Sequence, residues 1–500
     1  MTDDFDYKSL TKKELQHIFS EVAFPLQPMN HQYISLAFAY NLNRTSFLHD
    51  VGTGKTLCAL YLAKLWGCKK ILVVAPSSAF GSWRRDLRYN TDFSYQFVVG
   101  SGRDRKRILK KEKDVNVITY AGLKTVYAKL QKKERSKGKS WVIQDNLFLH
   151  NFDCVILDEV HKCKTYDALQ SKICYELSKK AKYVIGMTGT LIDNSYLELF
   201  NIYRVIDLGA SLGTNFFAYR YRFFDKKICG SRWGRKWVEW ELKPDCEQEI
   251  LDKISGISIS FSREECFDLP PLQKIFKFIT PSQQFRDIQE CIIENNRLNL
   301  PGMDNVGNKI KAKAHILREL PSGFFYYGKD KQVYSLKKNP KVKALLDLLE
   351  DSNSKILVFY SYAEERNILS KALKKEKILF CSAFGGQDED VREREKEEFQ
   401  KNKNVRVMLC QKTVASEGFD GFAANVVIFF SPLSSPKVIK QCIGRAYRKG
   451  QKRKVLVVTF VMEDSMEERV IVNRSERFNL VRETMAYIED FHRNSDVEQV

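Results

Sequence analysis

The sequence lacks the features that place a chain in or across a membrane. None of its 500 residues belongs to an apolar run of the 18 or more residues that a membrane-spanning helix needs. The N-terminus, MTDDFDYKSLTKKEL, has no apolar segment of the kind found in secretory signals. We therefore expect an intracellular protein of the cytoplasm or nucleus, neither secreted nor held in a membrane.

Paired cysteines, internal repeats and low-complexity segments are also missing. The twelve cysteines occur singly and no C-x-x-C pair is present, so common zinc and dithiol motifs are excluded and free buried thiols are expected. What the chain does have is length, since 500 residues exceed what one hydrophobic core usually supports. Two or three globular domains, with a cleft between them, are therefore expected.

Positive charge is in excess. The chain has 82 Lys and Arg residues against 62 Asp and Glu residues, which gives a net charge of +20. Such a surplus attracts a polyanion, because cations that neutralise phosphates release the counterions around them. The charge favours a nucleic-acid partner, although a merely basic surface explains it equally simply.

Apolar, β-rich runs form two groups along the chain and alternate with helical patterns. The first group is KILVVAP (70–76), VNVITY (115–120), FDCVILDE (152–159) and AKYVIGMTG (181–189). The second is SKILVFYS (354–361), ILFCSAFGG (378–386), NVRVMLCQ (404–411), ANVVIFFS (424–431) and KVLVVTFV (454–461). These patterns predict an α/β fold with two doubly wound parallel sheets, separated near the prolines of CFDLPPLQK (266–274).

A phosphate-binding loop is predicted in FLHDVGTGKTLCALYLAKL. Glycines let main-chain N–H groups surround phosphates, a lysine reaches the β and γ oxygens, and a hydroxyl holds Mg²⁺. The strict pattern requires glycine at position 49, where this chain has His49. The predicted ATP-binding residues here are Gly52, Thr53, Gly54, Lys55 and Thr56.

Two carboxylates follow a predicted strand in VILDEVHK, at the end where α/β folds bind ligands. We expect Asp158 to hold Mg²⁺ and Glu159 to polarise the water that attacks the γ-phosphate. His161 is assigned at most a coupling role.

Two arginines in QCIGRAYRKGQKRK (441–454) are candidate catalytic residues from the second sheet. On a helix, Gln441, Arg445 and Arg448 would share one face. We expect them to act as arginine fingers that stabilise charge on the γ-phosphate and tie hydrolysis to domain motion.

Four segments together resemble motifs I, II, III and VI of superfamily-two helicases, in order and in spacing: GTGKT (52–56), DEVH (158–161), MTGTLIDN (187–194) and QCIGRAYRKGQ (441–451). More narrowly, the chain resembles Swi/Snf-type ATPases in its basic DEVHKCK, its T-G-T-x-x-x-N and its final G-Q. The resemblance extends over roughly residues 25 to 475 and includes NPKVKALLDLLE and DSMEERV.

The resemblance implies two tandem RecA-like lobes with an ATP site in the cleft between them. The expected division is an N-terminal extension (1–20), lobe 1 (21–268) with an aromatic and basic insertion (about 207–245), a linker with a helical insertion (269–340), lobe 2 (341–470) and a C-terminal helix (471–500). The lobes occupy nearly everything, so targeting would come from protein partners or from the structure of the DNA.

Further site residues follow from the resemblance alone. Gln32 resembles the glutamine that reads adenine, while Thr188 and Thr190 resemble the link between ATP and nucleic acid. Gly418 and Asp420 are expected nucleotide contacts, although motif V departs from the Swi/Snf pattern at Ala415, Ser416 and Asp420.

Nucleic acid is expected to lie across the loops that follow the strands of both sheets, with contacts mainly to phosphates. The candidate residues are Pro76, Ser77, Trp83, Thr119, Tyr120, Tyr360, Ser361, Gly385 and Gly386. In the insertion, Trp233, Trp237 and Trp240 are interleaved with Arg232, Arg235 and Lys236. These side chains either stack on bases and grip phosphates, with Trp237 as the candidate contact, or pack the insertion onto lobe 1.

The sequence therefore predicts a minimal Swi/Snf-type motor that uses ATP and Mg²⁺ to move on duplex or branched DNA. The character of the insertion is similar to the branch of the family that remodels branched DNA, and the compact, Lys- and Phe-rich chain suits a virus, phage or plasmid, acting in the host cell. A monomer suffices. The alternatives are an RNA or single-strand helicase, and an ATP-switched nucleic-acid-binding factor in transcription or defence.

Replacing Lys55 tests the assignment of the phosphate loop. Lys55→Ala should abolish ATP turnover, because it removes the positive charge next to the β- and γ-phosphates. Steady-state release of phosphate measures the effect, and turnover equal to that of the unchanged protein would overturn the assignment.

Overall fold

The protein divides into two compact units, and the boundary between them falls between Cys266 and Phe267. The computed structural model describes residues 11–20, 22–132, 139–143, 151–189, 191–192, 195–230, 236–294, 310–328, 330–414, 421–433, 435–468 and 470–471. Of the predicted C-terminal helix over 471–500, all but the first residue lies outside these ranges.

The first unit alternates strands and helices along the chain. Its helices are α1 (Lys12–Ile18), α2 (Asn30–Tyr40), α3 (Lys55–Leu65), α4 (Phe80–Tyr89), α5 (Gly102–Leu109), α6 (Tyr120–Tyr127), α7 (Leu169–Lys180), α8 (Leu197–Asp207), α9 (Phe216–Phe223), α10 (Cys246–Ser255) and α11 (Arg263–Cys266). Its strands are β1 (Arg44–Phe47), β2 (Ile71–Ala75), β3 (Tyr95–Val98), β4 (Val115–Thr119), β5 (Ala128–Lys132), β6 (Lys139–Ile143), β7 (Cys154–Asp158), β8 (Tyr183–Met187), β9 (Phe224–Gly230), β10 (Lys236–Leu242) and β11 (Ser258–Ile259).

Seven of these strands form one parallel sheet in the order β11-β1-β8-β7-β2-β4-β3. Helices cover both faces, since successive residues of β2 pack alternately into two separate hydrophobic cores. The pairs β5–β6 and β9–β10 are antiparallel hairpins outside this sheet.

Strand β1 carries polar residues into the interior. Thr45 and Ser46 are fully buried, and their hydroxyls donate to Ile257 O at 3.0 Å and to Ser258 Oγ at 2.8 Å. These bonds offset the cost of burying hydroxyl groups. They also join the strand before the phosphate loop to the last strand of the unit.

The second unit has the same alternation. Its helices are α12 (Gln283–Glu294), α13 (Ile310–Glu319), α14 (Pro340–Glu350), α15 (Ala363–Lys375), α16 (Glu389–Lys401) and α17 (Pro436–Ala446). Its strands are β12 (Leu272–Ile279), β13 (Phe324–Tyr327), β14 (Gln332–Ser335), β15 (Ile356–Tyr360), β16 (Phe380–Ala383), β17 (Val407–Gln411), β18 (Val426–Phe429) and β19 (Val455–Met462).

Six strands form the second parallel sheet, in the order β12-β19-β18-β15-β17-β16. The α/β fold with two parallel sheets is therefore confirmed, and each of the nine predicted apolar runs contains a strand. The segment 269–340, interpreted as a linker with a helical insertion, also contains strands, because β12 pairs with β19 along its whole length and β13 and β14 form a hairpin. The sequence of β12, LQKIFKFI, does not predict a strand, because lysines interrupt the apolar run. Lysines of this kind suit a strand at the edge of a sheet.

A buried ion pair ties the start of α14 to the segment after β19. Lys341 Nζ donates to Glu467 Oε1 at 2.6 Å and to Phe430 O at 3.0 Å, and both charged side chains are almost fully buried. Removing one partner of such a pair costs about 3–5 kcal/mol. This contact joins two of the stretches, NPKVKALLDLLE and DSMEERV, that carry the family resemblance.

The described part of the chain contains no helix that is long and apolar enough to cross a membrane. Eleven cysteines whose side chains the structure describes are free thiols, and eight of these are buried.

Candidate functional site

The phosphate loop follows β1 and leads directly into α3. Gly52 and Gly54 have φ values of +89° and +85°, a region that side chains other than glycine rarely adopt. A Cβ atom on Gly54 would also collide with the side-chain amide of Gln32. Both glycines are thus required by the shape of the loop.

Side chains bind the carbonyl groups of this loop. Lys55 Nζ donates to His49 O at 2.8 Å and to Asp50 O at 2.9 Å, and the Thr53 hydroxyl donates to Asp50 O at 2.9 Å. Gln32 Nε2 donates to Gly54 O at 3.2 Å, so the glutamine assigned to adenine also contacts the loop.

His49 stands where the strict loop pattern has glycine, and the structure explains why it is tolerated. No described non-glycine residue of the loop has a positive φ, so position 49 does not need glycine. The imidazole is fully buried, stacks on Phe47 with ring centroids 5.5 Å apart, and lies 2.9 Å from Ser35 Oγ through Nε2. His49 therefore fills the space beneath the loop.

Asp158 ends β7 at the same edge of the sheet. Trp83 Nε1 donates to its Oδ2 at 2.9 Å, and the Tyr120 hydroxyl donates to its main-chain carbonyl at 2.9 Å. Burial raises the pKa of Asp158 to about 6, and the neighbouring Glu159 adds to the rise, while the Trp83 bond and the Lys55 charge oppose it. Lys55 is thus close enough to Asp158 to favour its ionised form.

Glu159 is held in a strained conformation with φ of +55°. Its Oε2 accepts from the Thr188 hydroxyl at 3.3 Å and lies 3.1 Å from His161 Nδ1. Thr188 Oγ1 and His161 Nδ1 are also 3.1 Å apart. Residues from motifs II and III, including His161, therefore meet in one cluster.

Four predicted nucleic-acid contacts need correction because their side chains are buried. Trp83 and Thr188 have no exposed surface and bind the two acidic residues, while Tyr120 is 5% exposed and binds the Asp158 main chain. Tyr360 is fully buried in the core of the second unit. Each of them packs inward, so none presents a side chain to a bound strand.

The other predicted contacts lie on loops at the sheet edges. In the first unit, Ser77 is exposed, Pro76 is partly buried, and Thr119 accepts from Gly122 N at 2.9 Å to cap α6. In the second unit, Gly385 and Gly386 are in the turn after β16, where Gly385 N donates to Gln411 Oε1 at 2.8 Å.

A cleft at the edge of the second sheet gathers two cations and two hydroxyls, which we call the cation cleft: Arg318, Ser361, Lys412 and Ser431. Ser361, Lys412 and Ser431 follow β15, β17 and β18, and the Ser431 hydroxyl donates to Ser361 Oγ at 3.1 Å. Burial, with the charge of Arg318, lowers the pKa of Lys412. Within the described chain, neither cation forms an ion pair or a side-chain hydrogen bond. Sequence reasoning named only Ser361 of these four.

Motif VI departs from its predicted geometry. Gln441 and Arg445 lie on α17 and are buried, but the helix ends at Ala446, so Arg448 is not on the same helix face. Tyr447 leaves the helical conformation, and Gln451 folds back so that its Nε2 donates to Ala446 O at 3.2 Å and to Ala424 O at 2.7 Å. The final glutamine of the G-Q sequence therefore binds the last carbonyl of α17.

Several predicted residues lie outside the described ranges. These are Thr190, Gly418, Asp420, Trp233, Arg232 and Arg235, together with the side chains of Trp237 and Lys236, whose main chain belongs to β10. Their roles stay predictions.

A cluster of aromatic side chains, two of them exposed, lies on α9 and the β9–β10 hairpin. Phe217 and Tyr221 are 59% and 60% exposed. The Arg220 guanidinium stacks over Trp240 at 4.1 Å and lies 5.1 Å from the ring centre of Phe217. We call Phe217, Arg220, Tyr221 and Trp240 the aromatic platform.

Comparison with known families matches both units. Residues 20–193 match the family described as Type III restriction enzyme, res subunit, and residues 340–450 match the Helicase conserved C-terminal domain. The chain is also similar to a solved structure described as "Sulfolobus solfataricus SWI2/SNF2 ATPase core in complex with dsDNA". The match covers 95% of this chain and 95% of that chain, at 19% sequence identity and a TM-score of 0.42.

Curated relatives are similar over most of this chain. "Putative ATP-dependent helicase/translocase YwqA" of Bacillus subtilis (strain 168) is 24% identical over 446 residues, which are 85% of this chain and 44% of that protein. The Caenorhabditis elegans "SWI/SNF-related matrix-associated actin-dependent regulator of chromatin subfamily A-like protein 1 homolog" is 24% identical over 434 residues, 84% of this chain and 56% of that protein. The chain thus spans about half the length of these relatives, and it is similar to SNF2-like superfamily-two helicases through both matched domains and through these relatives.

Proposed function

We propose that this protein is an ATP-dependent translocase that moves on duplex or branched DNA. The observation that carries the proposal is the cluster at the edge of the first sheet, where Lys55 follows the phosphate loop after β1 while Asp158 and Glu159 lie at the end of β7, two strands away. The names of the relatives, which include an ATP-dependent helicase/translocase, support it.

The loop is suited to bind the phosphates of ATP. Main-chain N–H groups between β1 and α3 face phosphate oxygens in such loops, and Lys55 adds a positive charge. Gln32 fixes Gly54 from behind and is proposed to recognise adenine.

Thr56 and Asp158 are proposed to hold Mg²⁺, which takes oxygen ligands and is usually held by one or two protein groups together with substrate phosphates. The described residues contain no group of three acidic, His or Cys ligands, so no all-protein cage competes with this assignment. The ion would supply charge that neutralises the phosphates.

Glu159 is proposed to orient and polarise the attacking water. Thr188 and His161 fix one of its carboxylate oxygens, which sets the direction of the carboxylate. Thr188 begins motif III, so a shift of that segment would move Glu159. This contact is a direct route by which bound nucleic acid could alter the rate of hydrolysis.

Arg445 and Arg448 are proposed to stabilise the negative charge that develops during phosphoryl transfer, with Gln441 beside them. Guanidinium groups suit this role because they stay charged and present several N–H donors. Gly418 and Asp420 are proposed nucleotide contacts.

The cation cleft is proposed to bind a phosphate of the DNA backbone. Neither of its two cations forms an ion pair in the described chain, although Glu467, which is paired with Lys341, also lines the cleft, and the Glu365 charge opposes the fall in the pKa of Lys412. Burial lowers that pKa, so Lys412 would gain from an anion. Ser361 and Ser431 add hydroxyl donors. Backbone contacts of this kind do not depend on base sequence, as movement along DNA requires.

Steady-state ATP hydrolysis with different nucleic acids tests the proposed function. Linear or forked DNA duplexes should stimulate turnover more than single-stranded DNA, single-stranded RNA or duplex RNA at one salt concentration, since salt alone changes affinity. Lys55→Ala provides the background. Stimulation mainly by RNA would indicate an RNA helicase, and no stimulation by any polymer would indicate an ATP-controlled switch.

Binding to forked and linear duplexes tests the preference for branched DNA. The aromatic platform and Trp237 are proposed to stack on unpaired bases at a fork, where stacking contributes about 1–3 kcal/mol per base. Tyr221→Ala and Trp237→Ala should each weaken binding to the fork about tenfold more than binding to linear duplex. Tyr89→Ala removes a 66% exposed tyrosine from another helix of the unit and should change neither affinity. Equal weakening on both duplexes would exclude the stacking role.

The corrected position of Trp83 generates a further test. Trp83→Phe keeps an aromatic ring but removes the N–H group that donates to Asp158. The pKa of that carboxyl should therefore rise further, and kcat should fall about tenfold. DNA affinity should stay within about twofold, because the side chain is buried. Trp66→Phe, which removes a bond to Tyr40 O at the far end of α3, is the matched control. Reduced DNA affinity with unchanged kcat would restore Trp83 as a nucleic-acid contact.

A further inference from the structure

Arg263 holds the phosphate loop from a distant part of the sequence. Its Nε and Nη2 both donate to Val51 O, at 3.0 and 2.7 Å, and its main-chain N–H donates to Asp50 Oδ2 at 3.3 Å. The residue is 3% exposed and lies 212 residues after Val51. It is the first residue of α11, the last helix before the boundary between the two units.

Orientation of one peptide group connects this contact to phosphate binding. In a planar trans peptide the C=O and the following N–H point in opposite directions. With the Val51 carbonyl held by Arg263, the N–H of Gly52 is turned away from Arg263. His31 acts on the loop in the same way, since its Nε2 lies 2.8 Å from Thr53 O, which orients the N–H of Gly54.

Two N–H groups of the loop are correspondingly unoccupied. In the described part of the chain, the main-chain N–H groups of Gly52 and Gly54 donate to no protein acceptor, and the chain makes a tight turn between Asp50 and Thr53. Free main-chain donors in a turn form the kind of concavity that binds anions. The carbonyls of Val51 and Thr53, which would repel a phosphate, are held by Arg263 and His31.

The identity of the side chain also matters. A guanidinium offers two parallel donors to a single acceptor from a fixed planar group, whereas a lysine offers one point charge on a flexible stem. A buried cation also needs compensation, and the Arg263 guanidinium has it in two hydrogen bonds to the Val51 carbonyl. Its positive charge therefore lies directly behind the loop.

We propose that Arg263 is a positioning residue for nucleotide binding, which fixes the Val51 carbonyl so that the loop amides are arranged for phosphate before ATP arrives. The inference rests on the proposed ATPase function and adds to it a residue outside the helicase motifs. Because Arg263 acts before the chemical step, its loss should weaken binding of ATP and of the transition state equally, which raises KM and leaves kcat unchanged.

The test measures KM and kcat for ATP with saturating duplex DNA, and the affinity for ADP with Mg²⁺ by calorimetry. Arg263→Ala should raise KM and weaken ADP binding about tenfold, the usual effect of losing one charge-assisted hydrogen bond, with kcat within about twofold of the unchanged protein. Arg263→Lys keeps the charge and one donor, so its KM and its affinity for ADP should lie between those of the unchanged protein and those of Arg263→Ala.

Arg44→Ala is the matched control for lost stability. Arg44 is another arginine of the first unit that binds main-chain carbonyls, those of Ile206 at 2.8 Å, Ser178 at 2.8 Å and Ala181 at 3.2 Å, none of them in the phosphate loop. The melting temperature of Arg44→Ala should fall at least as far as that of Arg263→Ala, while its KM for ATP stays within about twofold of that of the unchanged protein.

Three results would count against these statements in different ways. An unchanged KM in Arg263→Ala, or an equal rise in Arg44→Ala, would overturn the positioning role while leaving the ATPase intact. If Arg263→Ala fails to fold, Arg263→Lys decides, because an unchanged KM in that variant also overturns the role. Failure of the unchanged protein to bind ADP or hydrolyse ATP would instead overturn the proposed function, and the inference with it.

Discussion

Parallel pairing of strands is the constraint on which both units depend. Because neighbouring strands run in the same direction, their carboxyl ends lie at one edge of each sheet. In the first sheet this edge carries the phosphate loop after β1, Thr188 after β8 and the carboxylates of motif II at the end of β7. In the second sheet it carries Ser361, Lys412 and Ser431 after three further strands. Residues that are far apart in the sequence are thereby gathered into two sites. The segments between them need no particular sequence for this, beyond what forms the strands and helices.

Hydrogen bonds to buried polar groups fix the geometry of the proposed ATP site. A carbonyl or carboxylate removed from water costs free energy unless it is hydrogen-bonded, so each of these groups has a partner that also fixes its direction. Trp83 orients the Asp158 carboxylate, Thr188 and His161 orient that of Glu159, and side chains from α2 and α11 orient the carbonyls of the loop. The strained φ of Glu159 is maintained by the same contacts. Geometry that serves the reaction is thus built from the ordinary requirement that buried polar atoms be paired.

The sequence was most informative where local pattern and fold agree. Apolar runs identified the buried strands because both faces of a parallel sheet are covered, and the glycine-rich loop identified itself by spacing. Strand β1 was harder, since its buried hydroxyls look polar until their partners on the β11 side are known. The sequence places Tyr120 and Tyr360 at the surface because they follow strand ends, and Trp83 because of the family resemblance, but only the packed structure decides whether an aromatic ring turns inward. Arg448 was placed on a helix that ends before it, and Arg263 was invisible because no pattern links it to a loop 212 residues earlier.

The arrangement of β1 has a consequence for how the protein forms during translation. This strand lies between β8 and β11, and the second pairing joins Phe47 to Ile259. The ribosome therefore synthesises the phosphate loop early, but the segment that completes its sheet emerges only after more than two hundred further residues. Contacts of such high sequence separation form late, because a long loop must close before they are made. A nascent or truncated chain that stops before β11 carries every residue of the predicted nucleotide motif and lacks the strand beside it, so the sheet around the phosphate loop is completed only when the whole first unit has been made.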